Sequence, residues 1–468
     1  MRRPAAAIVV AAAAVLVAAA PAAAHGLAGR SDLPIPDIFF AWAAAAVLVI
    51  TFVALGVGWQ TPVLEHRRAR PVLRVPRAVE VVCGGTGVLV LVGLIYAGLV
   101  GNQTPTANVT PTTVYVLFWV GIPVVSVLLG DVFRPFNPWR AIGRASGWAL
   151  KRVMHEPPPP LRYPERFGRW PAVAGLVTFG WLELVPAEGS KPSVLAIAAM
   201  AYVGAQFVGM SLYGVETWSR RGDTFGIYFS IFGRLSPFTT EGGNLALRRP
   251  LSGLTDIDWL PGTVFLLCAA IGITAFDGAS EGPAWNSITD DLQQAFVSLG
   301  FSLGTALQIA FTIGLLLAIF VVTAFYGTGI EGVHREAPER SARELARRFG
   351  HSLAPIAFAY ILAHYFSLFV YQGQATVYLI SDPLGDGSDL FGTANVGIDY
   401  GLVSAVAIRW VQTITLVTGH VAALIVAHDR ALVDFGHTQK AVRSQYWMLG
   451  VMVGFTMFGL WLLSESNG

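Results

Sequence analysis

Apolar residues along most of this chain come in nearly unbroken runs, not at the spacing of a half-buried helix face. Ten such runs, at 38–59, 79–100, 112–130, 170–186, 192–214, 261–277, 303–326, 352–378, 403–427 and 445–463, are separated by polar segments. Each has the length of about 17–25 residues that a helix needs to cross the hydrocarbon core of a bilayer. Inside lipid only helices and closed barrels satisfy their own backbone hydrogen bonds. The pattern therefore predicts an all-α, polytopic integral membrane bundle of about ten transmembrane helices.

The first stretch, MRRPAAAIVVAAAAVLVAAAPAAA (1–24), joins a basic start at Arg2 and Arg3 to an Ala/Val core and an A-x-A site at Ala22–Ala24. It reads as a cleavable signal peptide, leaving 25–468 as a single polytopic domain that begins at His25. With that terminus outside, the inner loops are 60–78, 131–169, 215–260, 327–351 and 428–444, and they hold 26 of the 31 Lys and Arg residues. This is the positive-inside bias, and it places both ends of the mature chain outside. Within these loops, HEPPPPLRYPERFGR reads as an extended spacer. GDTFGIYFSIFGRL reads as an interfacial helix along the inner leaflet. The stretches GDVFRPFNPWRAIGR and YGVETWSRRGDTFG read as anchors on anionic lipid.

Composition agrees with the pattern, with 54% of residues hydrophobic and only 13% charged. The two cysteines, Cys83 and Cys268, both lie in apolar runs, which excludes a disulfide framework and any cysteine-based zinc or iron–sulfur site. No charge run fits nucleic acid. The outer loops are acidic, with Asp382, Asp386, Asp389 and Asp399 in one and Glu281, Asp290 and Asp291 in another. They form either a solvated face or a rim that attracts cations. Gly300/Gly304 and Gly450/Gly454 have the spacing of close helix contacts.

Polar groups inside the crossings are few and expensive, so they are the candidates for function. They are Glu183, Asp277, His364, Arg409, Gln412 and His420, with Gln372 and Gln374 near an outer end. His364 and His420 lie near mid-depth on consecutive runs, at levels differing by roughly 6 Å. Facing imidazoles would bind a divalent transition metal or, less readily, haem; interhelical hydrogen bonding is the structural alternative. Asp277 and Arg409 would form an ion pair, or, with Gln412, the catalytic groups of a polar funnel opening outward. A mature His25 would add its α-amine and imidazole as metal ligands. Gly278–Gly282 matches G-x-S-x-G and Gly327–Gly332 matches G-x-G-x-x-G, but neither follows a strand, and no H-x-H, H-E-x-x-H or P-loop occurs.

The segments HGLAGRSDLPIP, GDVFRPFNPWR, TAFDG, LAHYFSLFVYQGQ and GHVAALIVAHDRAL span nearly the whole mature chain. In them the sequence resembles a group of multi-pass bacterial membrane proteins named fenitrothion hydrolase. That resemblance implies a plasma-membrane enzyme cleaving a lipophilic organophosphate ester, and it transfers no residue roles. Three functions follow. One is a hydrolase in which metal-bound water is activated at His364 and His420, with Asp277 and Arg409 assisting. The second is a metal- or haem-binding redox or copper-handling protein. The third is a proton-coupled solute transporter. The partners would be the bilayer and a lipophilic small molecule or metal ion.

Overall fold

In the computed structural model the described residues are 37–65, 69–154 and 158–465. The expected signal peptide and His25 lie outside them. The principal helices are α1 (Asp37–Gly58), α2 (Arg77–Val100), α3 (Val109–Leu129), α4 (Pro138–Val153), α5 (Trp170–Leu184), α6 (Pro192–Tyr213) and α7 (Thr224–Gly233). They continue with α8 (Thr263–Ser280), α9 (Pro283–Ser298), α10 (Leu303–Glu336), α11 (Leu353–Gln372), α12 (Ala405–Phe435) and α13 (Tyr446–Glu465). The described residues are 74% helical with almost no strand, as an all-α helical bundle requires. Eight helical stretches among the described residues are long and apolar enough to cross a membrane: those of α1, α2, α3, α6, α8, α10, α11 and α12. α5, with 15 residues, and the apolar stretch Tyr446–Trp461 of α13 fill the two remaining predicted runs but are shorter than those eight.

Helix starts follow local chemistry. The Ser302 and Ser404 side chains accept from the amides of Thr305 and Ala407, while Pro192 and Pro283 occupy first turns, where a missing N–H costs nothing. Helix α2 is peripheral, with Val81, Val82 and Leu89 66–75% exposed, a row that suits lipid and not water. Helix α8 is central, with 72% of its apolar window buried. Helix association within lipid draws on close packing more than on the hydrophobic effect. The closest approaches, however, avoid the expected glycine pairs. A Cβ at Gly304, Gly450 or Gly454 would meet open space, whereas one at Gly272 would collide with the Ile319 backbone and one at Gly419 with Ala359.

Contacts between loops sort into two faces. On one, Glu80 and Glu216 both pair with Arg140, Glu65 with Arg430, Asp434 with Arg348, and Glu336 with Arg443. Strand β1 (Arg70–Arg74) there joins β2 (Phe238–Glu241) and β3 (Asn244–Leu247) in an antiparallel sheet of order β1-β3-β2. Pro71 is tolerated because β1 is an edge strand. On the other face, Asn102 N–H donates to the Leu384 carbonyl, Tyr378 to Thr106, and Tyr115 to Gly189. The first face carries the basic loops.

Two inner segments differ from expectation. Helix α7 does not lie along a leaflet: Phe225, Ile227, Tyr228, Phe229, Ile231 and Phe232 are all buried. Its aromatic side chains pack against Phe118, Trp119, Phe133 and Phe179 at the centre of the bundle. The stretch from Asn137 to Arg140 is likewise buried rather than spread on lipid. Asn137 Nδ2 (2.7 Å), Trp139 Nε1 (2.8 Å), the Tyr202 hydroxyl (2.9 Å) and the Gly226 amide (3.1 Å) all donate to Asp223, which caps α7. The Asn and Trp of one motif and the Asp of the other thus complete each other across the chain.

Candidate functional site

Asp277 lies in the last turn of α8, within a stretch that is otherwise almost wholly buried. An ionised carboxylate there costs about 3 kcal/mol or more unless it is partnered. Two neighbouring residues of α11 supply the partners. The Tyr365 hydroxyl donates to Asp277 Oδ2 at 2.7 Å, and His364 Nε2 lies 3.0 Å from the same oxygen. The side chains of His364 and Asp277 remain 16% and 18% exposed. Gly278 gives the imidazole its space, since a Cβ there would stand 3.3 Å from His364 Nδ1.

Glu183 reaches the same region from α5, near enough to Asp277 for the two charges to interact, and its charge is also felt at Tyr115, Tyr228 and Tyr365. At 1.5 Å rise per residue, Glu183, Asp277 and His364 sit roughly 16–21 Å beyond the first residues of their helices, in the half of the bundle away from the basic face. Tyr115 and Trp119 arrive from α3, in which Thr112–Gly121 is wound as a π-helix up to the residue before the Ile122–Pro123 pair. Such wide turns are rare and concentrate at functional sites. Trp119 stacks on Tyr228 at 5.2 Å and 16°.

The residues singled out in the sequence are therefore regrouped. Asp277 and His364 belong together, but the expected partners of each do not. His420 is fully buried, and its Nδ1 bonds the Leu416 carbonyl of its own helix at 2.8 Å while the ring packs near Tyr360. Among the described residues no hydrogen bond joins it to His364, whose Nε2 bonds Asp277 on α8. Among the described residues no group of three or more His, Cys, Asp and Glu side chains is placed to hold a metal ion. His364 Nε2 and His420 Nδ1 are each taken up in a hydrogen bond, to Asp277 and to the Leu416 carbonyl. Arg409 is engaged, but the ion-pair partner of Asp277 is His364. Gln412, buried on α12, is not among the hydrogen-bond partners of Asp277 either.

Other candidates serve structure. Ser280 Oγ donates to the Asp277 carbonyl of its own helix. Asp382 accepts from the amides of Asp386 and Gly387, and Asp389 from Ser381 and Ala394, so these outer carboxylates shape their loop. His428 bonds the Trp59 carbonyl while Asp429 accepts from Trp59 Nε1, Val63 and Leu64, pinning the first inner loop. Glu183 was visible in the sequence as a costly polar residue, but nothing there linked it to Asp277. Compared with protein-family models, with curated proteins and with solved structures, the chain finds no match.

Proposed function

We propose that the protein is a proton-coupled carrier of the bacterial plasma membrane and that Asp277 and His364 form its proton-exchanging centre. It would cross the bilayer ten times after removal of residues 1–24, with both ends outside. Support for ten crossings comes from the two-faced loop contacts, because α5 and α13 each start at the basic face and α5 leads to Gly189 on the other. The observation that carries the proton reading is the 3.0 Å contact between Asp277 and His364, within the membrane part yet only partly buried. A carboxylate and an imidazole at that distance exchange protons readily around neutral pH. Tyr365 fixes the carboxylate from another side. Arrival of one proton changes the charge of this pair in a low-dielectric layer, and that difference can bias two conformations of a carrier.

The same pair favours a second reading, the hydrolysis that the family resemblance implies. Asp277 orients the His364 ring, as a carboxylate does for a general base that takes a proton from water. Neither reading needs a metal at His420, and neither gives a part to Arg409 or Gln412.

Purified protein in proteoliposomes on a solid-supported membrane, stepped from alkaline to mildly acidic buffer, tests the first reading. A transient current from proton uptake is expected, and it should vanish in Asp277→Asn and His364→Gln. Transients of parental size in both variants would overturn the proton centre. Release of nitrophenolate from a dialkyl nitrophenyl phosphate, lost in the same variants and unaccompanied by charge displacement, would replace the carrier with the hydrolase.

A further inference from the structure

Three polar atoms beside this centre lack partners. Trp119 Nε1, the Tyr228 hydroxyl and Glu183 Oε2 are buried and make no hydrogen bond among the described residues, and the Trp119 and Tyr228 side chains are fully enclosed. An orphaned buried polar group costs about 1–3 kcal/mol, so three together call for an explanation. They are neighbours contributed by three separate elements. Trp119 stacks on Tyr228, Tyr228 feels the Glu183 charge, and the indole N–H lies near the Tyr365 hydroxyl without completing a hydrogen bond to it. Tyr365 in turn donates to Asp277. The indole can only donate, an ionised carboxylate can only accept, and the phenol does both. A small hydroxylic molecule that donates and accepts answers all three, and water is the one that suits a buried polar site.

We infer that Trp119, Tyr228 and Glu183 hold a buried water, and that Glu183 is a second proton station reached from Asp277 through Tyr365 and that water. This deepens the proton reading and rests on it. Titratable groups lie near Glu183 on four of the elements around it, Tyr115 on α3, Tyr228 on α7, Asp277 on α8 and Tyr365 on α11, while α10, which meets α5 at Thr312 and Trp181, brings no titratable group beside that contact. His364 and Glu281 also act on Asp277 or share its surroundings. The transfer balances without any other reactant. Protonated Asp277 gives its proton to the Tyr365 oxygen as Tyr365 passes its own to the water. The water then passes one of its protons to the Glu183 carboxylate. Tyr365 and the water end as they began, and the charge has moved from Glu183 to Asp277.

The pH-step current again supplies the test. Glu183→Gln keeps the shape and hydrogen-bonding capacity of the side chain but cannot exchange its proton, so it should reduce the displaced charge by about half while Asp277→Asn abolishes it. Tyr228→Phe should slow the transient without changing its total charge. A parental transient in Glu183→Gln beside a lost one in Asp277→Asn would overturn the second station and leave the first standing. Parental transients in both would overturn both. Should Glu183→Gln fail to fold, the unmodified protein decides. Its acid-minus-alkaline infrared difference spectrum should contain two protonated-carboxyl bands from buried sites, and a single such band would overturn the inference.

Discussion

Replacing Asp223 with alanine would remove the acceptor on which Asn137, Trp139, Tyr202 and Gly226 converge. The carboxylate is 0% exposed and takes three side-chain donors and one amide, at 2.7–3.1 Å. Each buried donor left without a partner costs about 1–3 kcal/mol, and the lost helix cap adds about 1. Local relaxation and entering water would recover part of this, for a net loss of roughly 3–6 kcal/mol. That is a large share of the about 5–15 kcal/mol that holds a folded protein together. Asp223→Asn should lose about half as much, because its NH2 must confront either the Trp139 and Asn137 donors or those of Tyr202 and Gly226. Cys268, 0% exposed on α8, is a built-in reporter. In a Cys83→Ala background, a maleimide fluorophore reacts with it only as the bundle opens. The melting temperature in detergent should fall by roughly 5–15 °C for alanine and by about half of that for asparagine. A change within about 2 °C for Asp223→Ala would refute the reasoning.

Glu216 should give stability a dependence on acid. Burial disfavours its charge, but the Arg140 and Arg144 guanidiniums outweigh that and hold its carboxyl below the ordinary value of 4.5. A lowered folded value means that the contribution is present above pH 4.5 and disappears as the pH falls through the folded value. The melting-temperature gap between the parent and Glu216→Gln should therefore be small, since Glu216 and Arg144 are both nearly half exposed, and should close in acid. A gap that widens in acid would contradict the pairing. Leu73 and Leu245 face each other in register across β1 and β3. Cysteines placed at both positions, in a chain lacking Cys83 and Cys268, should cross-link on oxidation and shift the band on a denaturing gel. Absence of the cross-link would count against the two loops sharing a face.

The crossings were legible because the bilayer sets one length and one polarity for all of them. The predicted run at 79–100 and the helix at 77–100 differ only at one end, and α6 matches almost residue for residue. Partner choice was not legible. His364 and His420 have similar depth in the sequence, but helix phase turns one toward Asp277 on α8 and the other onto its own backbone. The aromatic and glycine mixture of 222–235 fits an interface as well as a core. Its burial follows from Asp223 finding Asn137 and Trp139, a meeting that no local pattern announces. The π-wound turns of α3 also have no clear signature in their residues, because neighbouring helices decide whether a wide turn is filled.

The small sheet on the basic face ties the chain's assembly to the order of its synthesis. β1 is made early, yet the strand it pairs with leaves the ribosome only after six intervening helices, α2 through α7, have been produced. Until then its edge stands open, and the proline within it and the arginines at its two ends guard it against unwanted pairing. Arrival of β3 then latches the first third of the protein to its middle.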